Sequence, residues 1–233
     1  MKTLMYFLAV VVLAVMIIIQ VMLPQTISTA MEQALEEHWE LQNVKVDIKA
    51  FPAVKILWGR VDRAEVYVPA FNLGIMPVNH LKISLQNIKI DIIKAVNKEF
   101  SYIAEQPGRI EFFVTQEGLN EYLKQNPITG ISDVSIELKD SQSIVKCQIM
   151  LLGRNINLSL LGRFSLGKDS LVFVPEDLVV QDHSLGDVFK DRVKTGVNLE
   201  VNLINLPFDT RLTGLEAGDG YLKFTGEIGG LKI

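Results

Sequence analysis

The sequence contains very little cysteine. Cys147 is the single cysteine among 233 residues, so no disulfide can form within the chain. It alternates with Val145 and Ile149, a pattern that indicates a buried thiol in a β-strand. It also lies far from the N-terminus, where a lipoprotein carries the cysteine that receives its acyl chains. We therefore expect any membrane attachment to be made by the polypeptide itself.

An excess of basic residues is also missing. The 23 Lys and Arg residues are outnumbered by 27 Asp and Glu residues, which gives a net charge of -4. Affinity for nucleic acid comes largely from basic side chains that neutralise phosphates, so we exclude nucleic acid as a partner. Hydrophobic residues make up 48% of the chain, which is enough for a sizeable core. The length fits one domain plus an appendage.

Catalytic and metal-binding patterns are missing as well. His38, His80 and His183 are scattered, and no two of them have metal-ligand spacing on one element. Ser143 and Ser165 each begin an S-x-x-K pattern in strand or turn sequence, whereas nucleophiles of that type lie at a helix N-terminus. We therefore expect a protein that is not an enzyme and that carries no metal or other cofactor.

The N-terminal part of the chain is a long hydrophobic run. Leu4 to Leu23 contains no charged residue, and only Gln20 in it is strongly polar. A helix of about 20 residues spans about 30 Å of hydrocarbon, which is the thickness of a bilayer core. Lys2 precedes the run, whereas the next lysine is Lys45. This asymmetry predicts a single-pass protein of the cell membrane whose remaining chain is extracytoplasmic.

The alternative for this run is a cleaved signal peptide, because Ser28-Thr29-Ala30 resembles a cleavage site. The hydrophobic part of a signal peptide is usually about 7–15 residues long, and this run is longer. We therefore favour an uncleaved signal anchor, and cleavage stays open. The predicted organisation is a cytoplasmic N-terminus with the transmembrane anchor, residues 1–25, and an extracytoplasmic domain, residues 26–233.

The pattern changes between Thr26 and Leu41, where apolar residues recur at a spacing near 3.6. This segment predicts an amphipathic helix that continues from the hydrophobic run and docks on the domain. Its apolar side contains Ile27, Met31, Leu35, His38 and Trp39, and its acidic side contains Glu32, Glu36, Glu37 and Glu40.

Beyond Leu41 apolar and polar residues alternate, which is typical of strands with one buried face. Such runs occupy residues 44–48, 64–68 and 145–151, and turn sequences such as Gly218-Asp219-Gly220 separate them. Short loops between alternating runs predict antiparallel hairpins in a meander.

One predicted strand is unusually long. Its apolar residues keep one phase from Leu81 to Leu85 and the opposite phase from Ile88 to Ile92, with a slip at Gln86-Asn87. A slip without Gly or Pro predicts a β-bulge, which bends the strand and increases its twist. At about 3.3 Å per residue the strand would be roughly 40 Å long, so we expect the sheet to coil.

Two helices interrupt this β pattern, one after Thr115 and one after Ser184. The predicted fold class is therefore α+β, with a long coiled antiparallel β-sheet wrapped around amphipathic helices and preceded by one N-terminal transmembrane helix. Periodicity leaves open whether the space between sheet and helices holds side chains or a ligand.

Three short motifs resemble those of a known family. The C-terminal part has a Leu206-Pro207-Phe208 turn followed by a strand with Arg211 and a final strand led by Gly220. Phe51-Pro52 with Leu57 and Gly59 resembles the family's first turn, and Thr115-Glu117-Leu119-Asn120 resembles its threonine-capped helix. Over roughly residues 28–233 the chain resembles the LmeA-type phospholipid-binding family of bacterial envelope proteins.

This resemblance implies one half of a tubular lipid-binding fold, with an apolar groove for acyl chains and with phospholipid and membrane as partners. By residue match it assigns groove-lining roles to Phe51, Leu57, Trp58, Leu206 and Phe208, although each of them also fits an ordinary core position. The expected function is a membrane-anchored extracytoplasmic protein that holds or transfers phospholipid. The alternative is a structural or interaction module of the cell envelope without a lipid ligand, and no protein partner is identified.

Overall fold

The computed structural model describes residues 2–39, 41–73, 76–91, 102–128, 130–140, 142–151, 154–167, 170–180, 199–203, 206 and 209–229. It begins with one long helix, α1, from Lys2 to Trp39. The predicted hydrophobic run and the predicted amphipathic segment are thus parts of a single helix. Its N-terminal half is long and apolar enough to cross a membrane and is not buried against the domain.

Antiparallel strands form most of the rest of the described chain, in two sheets. The strands are β1 Lys45–Lys49, β2 Arg60–Leu73, β3 Met76–Ile90, β4 Tyr102–Ala104, β5 Gly108–Thr115, β6 Ile131–Glu137, β7 Ser143–Leu151, β8 Arg154–Leu166, β9 Ser170–Val180, β10 Glu200–Asn202, β11 Thr210–Gly218 and β12 Tyr221–Ile228. The first sheet has the order β1-β2-β3-β5-β12-β11 with β4 beside β3, and the second has the order β10-β9-β8-β7-β6. The predicted α+β class and antiparallel pairing are confirmed.

The long strand slips in phase where the sequence predicted it. Asn87 has a left-handed backbone, with φ of 48°, and the burial of alternate side chains resets between Leu85 and Ile88. The slip is not the expected bulge. Asp62 of β2 and Asn87 of β3 lie opposite each other and both leave the pairing, so neither strand has an extra residue relative to the other. Both strands therefore bend together, and the register between them is unchanged.

A second slip, which the sequence pattern did not reveal to us, lies at His80, whose φ is 54°. There the pairing of β3 with β5 shifts between Asn79 and Lys82. This irregularity is a bulge, with more residues on β3 than on β5. Two such irregular points along one strand let the sheet curl without losing its ladder.

A helix, α2, connects the two sheets and runs from Gln116 to Gln125. The hydroxyl of Thr115 accepts a hydrogen bond from the backbone N–H of Gly118 at 3.2 Å, so the predicted cap is confirmed. The side chain of Asn120 accepts from the backbone N–H of Ile136 at 2.7 Å and donates to its carbonyl at 2.9 Å. These bonds satisfy an edge strand of the second sheet, β6. The helix predicted after Ser184 lies outside the described residues.

The inner faces of both sheets contribute to one hydrophobic core. Near its centre Phe112 of β5 and Phe224 of β12 stack with ring centroids 4.9 Å apart, and both are fully buried. Alternation along each strand places apolar side chains on this inner face and charged ones on the outer face, which is the pattern expected for sheets with one wet face.

Candidate functional site

The C-terminal half of α1 lies along the edge strand β1. The carboxylate of Glu32 accepts a hydrogen bond from the backbone N–H of Val46 at 2.8 Å, and that of Glu36 accepts one from Val44 at 3.1 Å. An edge strand has unpaired backbone groups, and these two carboxylates pair with two of them. The sequence places Glu32 and Glu36 on the acidic side of this helix, opposite its apolar side. In the fold both side chains nevertheless contact the domain, at and just before β1.

The side chain of Gln20 joins α1 to the domain. This contact lies next to the apolar N-terminal part of the helix. Its side-chain N–H donates to the carbonyl of Ala50 at 3.0 Å, and its side-chain oxygen accepts from the backbone N–H of Ala53 at 2.7 Å. We had noted Gln20 only as the single strongly polar residue of the hydrophobic run. A polar residue in such a run is a signal of a specific contact, which could have identified it.

A groove of about 700 Å³ lies between these contacts, with α1 on one side and β1 on the other. We call it the α1–β1 groove. Its volume is in the range of small-molecule sites, about 300–1,000 Å³. It is lined by Gln20, Val21, Pro24, Gln25, Ser28, Thr29 and Glu32 from α1, by residues 46–50 of β1 and its end, and by Phe51 and Asp62.

Both ends of the groove carry apolar and polar side chains. Val21, Pro24 and Phe51 line the end next to Gln20, which we call the apolar end for these three residues, although Gln25 and Asp62 line it too. Thr29 and Glu32 line the end farther along α1, together with Val46 and Ile48 of β1. The groove thus offers contacts for both the apolar tail and the polar head of a ligand.

A tight loop closes the apolar end of the groove. It contains a cis peptide bond between Phe51 and Pro52 and a 3₁₀ turn from Ala53 to Trp58. Ala53 and Ile56 are each 1% exposed and fasten the loop to the core. Gly59 ends the turn with φ of 72°, and its carbonyl accepts a hydrogen bond from the backbone N–H of Ile90 at 2.7 Å. The loop is thus held in one conformation.

Asp62 ties the same loop to β2. One of its carboxylate oxygens accepts from the backbone N–H of Phe51 at 2.7 Å, and the other lies 3.2 Å from the ammonium of Lys55. The hydrogen bond from Phe51 and the charge of Lys55 hold the pKa of Asp62 below its ordinary value of 3.8, against the opposing effect of desolvation. The carboxylate is therefore stabilised in its ionised form.

Three of the five predicted site residues lie on this loop and point into solvent. Phe51 is 77% exposed, Leu57 is 58% exposed and Trp58 is 72% exposed. The alternative that they are ordinary core residues is therefore wrong. We call these three side chains the apolar tip. Only Phe51 among them lines the α1–β1 groove.

The other two predicted site residues do not lie on the loop. Leu206 packs against the hydrophobic core and is not one of the residues that line the α1–β1 groove. Phe208 lies outside the described residues. Groove-lining roles for these two residues stay predictions.

The outer face of the first sheet carries a second, polar groove of about 420 Å³, lined in part by Arg63, Glu65, Lys82, Arg109 and Glu111. Its charges are largely matched, since Glu65 forms ion pairs with both Arg63 and Lys82. Within the described residues, no cluster of His, Cys, Asp or Glu side chains is arranged to hold a metal ion.

Comparison with known families decides which protein family the fold represents. The sequence model of the LmeA-like phospholipid-binding family matches residues 19–227. The chain belongs to this family. The resemblance that the short motifs indicated is confirmed, and membership supports a lipid-binding role. The family match begins one residue before Gln20, whose side chain is hydrogen-bonded to the domain. No match was found among the curated proteins or among the solved structures.

Proposed function

We propose that this protein is a membrane-anchored, extracytoplasmic phospholipid-binding protein that accommodates acyl chains in the α1–β1 groove. Membership of the LmeA-like phospholipid-binding family supports the class of ligand. The observation that carries the proposal is the position of the groove. It is built on the same helix as the apolar run and begins at Gln20, within the last turns of that run.

The chemistry of the groove suits a phospholipid. Transfer of acyl chain from water to an apolar surface contributes about 0.8 kcal/mol per CH₂, so binding requires no catalytic group. Val21, Pro24 and Phe51 offer such a surface at the end nearest the apolar run. Thr29, farther from that end, offers a hydroxyl that can donate a hydrogen bond to a glycerol or phosphate oxygen. We propose that the protein acts by binding alone.

The direction of α1 sets the orientation of the bound lipid. The apolar end of the groove is the end that adjoins the membrane-crossing half of the helix, so the acyl chains face the membrane and the head group lies beyond it. A lipid held in this way exchanges with the bilayer without turning over, which fits either holding or transfer of phospholipid.

Photo-crosslinking of the full-length chain tests this proposal. We would reconstitute the protein into vesicles that contain a phospholipid with a diazirine on its acyl chain, irradiate them, and map the lipid adducts by peptide mass spectrometry. Adducts on residues 4–23 are expected from any membrane-spanning helix and serve as the internal standard. The proposal predicts further adducts on segments that line the groove beyond this run, residues 24–29 and 46–50.

Two matched substitutions on α1 provide the control. Thr29 and Thr26 are both exposed, but only Thr29 lines the groove. Thr29→Trp narrows the groove and should reduce the adducts on residues 46–50, whereas Thr26→Trp should leave them unchanged. Adducts confined to residues 4–23 in the unmodified protein would contradict lipid binding in this groove and would favour the interaction-module alternative.

A further inference from the structure

The apolar tip is an unusual feature for a loop that is so firmly held. Its backbone is fixed by Gln20, Asp62 and Ile90, yet Phe51, Leu57 and Trp58 are each more than half exposed. Apolar side chains displayed on a fixed loop indicate a contact with another apolar phase, because a flexible loop could instead have folded them inward.

The hydrogen bonds of Gln20 place this loop relative to the apolar run. Gln20 contacts Ala50 and Ala53, which lie on either side of Phe51-Pro52. From Leu4 to Gln20 a helix rises about 24 Å, which is less than the roughly 30 Å of a bilayer core. A helix that crosses the membrane from Leu4 therefore leaves Gln20 about 6 Å short of the far surface of the core, so the loop that Gln20 holds lies at the outer edge of the opposite leaflet.

The rest of the domain extends away from that surface. Glu32 and Glu36 of α1 contact Val46 and Val44, so the helix and β1 run in opposite directions and the domain rises along the helix beyond Gln20. Among the described residues of the first sheet and α1, the loop thus lies at the end of the domain that faces the membrane, in the layer where tryptophan side chains are enriched.

We propose that the apolar tip is a second membrane contact, in which Phe51, Leu57 and Trp58 insert into the interfacial layer of the phospholipid bilayer that α1 crosses. The inference rests on the membrane anchoring in the proposed function. The tip fixes the tilt of the domain on its helix and holds the apolar end of the α1–β1 groove against the lipid surface. Phe51 belongs to both the tip and the groove, so the two are continuous.

Tryptophan fluorescence of the full-length chain provides the test. The sequence contains two tryptophans, Trp39 and Trp58, so W39F leaves Trp58 as the only reporter. We would reconstitute W39F into phosphatidylcholine–phosphatidylglycerol vesicles, confirm by flotation that it is bound, and measure quenching by phospholipids brominated at shallow or deep acyl positions and by aqueous iodide.

The matched control places the tryptophan at the far end of the domain. Lys124 is exposed on α2, and Gly118 of the same helix lies against Pro77, next to the hairpin that joins β2 to β3. The apolar tip adjoins the opposite end of these strands. The control variant carries K124W together with W39F and W58F.

We expect shallow bromines to quench Trp58 more than deep ones, and iodide to quench it about threefold less than it quenches the tryptophan at position 124, as for an interfacial side chain. Equal access of iodide to both positions, with no effect of brominated lipid, would overturn the proposal. Protection from iodide without quenching by lipid would also overturn it, because it would show that the tip is covered by protein.

A second variant avoids any change to the tryptophans. In L57C the new thiol should react with a charged maleimide about tenfold more slowly than that of K124C in the same vesicles, since the bilayer interface excludes the charged reagent. The native Cys147 is buried and gives a low background. Equal rates would contradict the inference.

The two proposals fail in different ways. A chain that does not float with the vesicles would overturn the anchoring and the tip contact together. Lipid adducts in the groove combined with a water-exposed Trp58 would overturn only the tip contact and leave lipid binding in place.

Discussion

Replacement of Gln20 by leucine should release the loop of residues 50–59 from α1. The two hydrogen bonds of the Gln20 side chain, to the carbonyl of Ala50 and from the backbone N–H of Ala53, are lost together. Leucine makes the hydrophobic run more apolar, so insertion of α1 into a membrane is not weakened. Any loosening of the loop in Gln20→Leu can therefore be assigned to the missing contacts with the domain.

The size of the effect follows from the burial of the two backbone groups. A buried group that loses its partner costs about 1–3 kcal/mol. Ala50 and Ala53 are 5% and 1% exposed, but the side chain that they contact is only half-buried, so water replaces part of the lost bonding. We expect the free energy of loop opening to fall by about 2–3 kcal/mol, which is roughly a 30- to 150-fold increase in the opening equilibrium.

Hydrogen–deuterium exchange of the full-length protein in vesicles measures this opening directly. Peptides that cover residues 50–59 should exchange faster in Gln20→Leu by the factor given above, while peptides of β5 and β12 should be unchanged. Gln25→Leu is the matched control, because Gln25 is exposed on the same helix and lines the groove without holding the loop. Equal exchange of the loop in the two variants would refute the idea that Gln20 fixes the loop.

Three further perturbations are predicted. Gly59→Ala should lower the free energy of unfolding by more than about 2 kcal/mol, because φ of Gly59 is +72° and the added Cβ would meet a backbone carbonyl of β3. Gly130→Ala should lower it by only about 1 kcal/mol, because φ of Gly130 is +82° but the space around it is open. Thermal unfolding of both variants in the same detergent compares these two losses. The pKa of Asp62 is lower in the folded state than its ordinary value of 3.8, so the Asp62 carboxylate stabilises the fold at pH values above 3.8. This stabilisation is lost as the pH falls through the lowered pKa. D62N should therefore flatten the acid side of the curve of stability against pH. Burial raises the pKa of the Cys147 thiol, so an aromatic disulfide reagent at mildly alkaline pH should react with it only after unfolding.

Each of these predictions has a contradicting result. Equal losses in Gly59→Ala and Gly130→Ala would show that the carbonyl of β3 moves aside at little cost. An acid limb that is the same in D62N and in the unmodified protein would show that Asp62 does not couple to folding. Rapid reaction of Cys147 in the folded protein would show that β7 opens far more often than its burial suggests.

The parts of the fold that the sequence predicted well depend on local patterns. The period of two beyond Leu41 predicted the antiparallel strands, and Thr115 predicted the start of α2. The phase slip at Gln86-Asn87 was visible because every second residue of a strand faces the core, so an extra residue reverses the pattern. The slip at His80 was missed because we did not extend the pattern of β3 back to Val78, on the other side of it.

The candidate site depended on contacts between distant residues, which periodicity cannot report. The sequence places Glu32 and Glu36 on the acidic side of the helix, opposite its apolar side, whereas in the fold both side chains contact the domain at and just before β1. Phe51 and Trp58 were assigned to the groove by residue match to the family, with an ordinary core position as the alternative, whereas the loop displays both side chains at its surface.

The sequence alone determined the apolar helix, the antiparallel α+β fold and the family, since each of these follows from the order and spacing of residue types along the chain. Only the tertiary structure decided where a ligand groove could lie and which residues meet at it. Gln20 is separated from Ala50 and Ala53 by some thirty positions. Their contact exists because the loop after β1 leaves the carbonyl of Ala50 and the first N–H of the 3₁₀ turn, that of Ala53, to be paired, and α1 is the element that lies beside this loop.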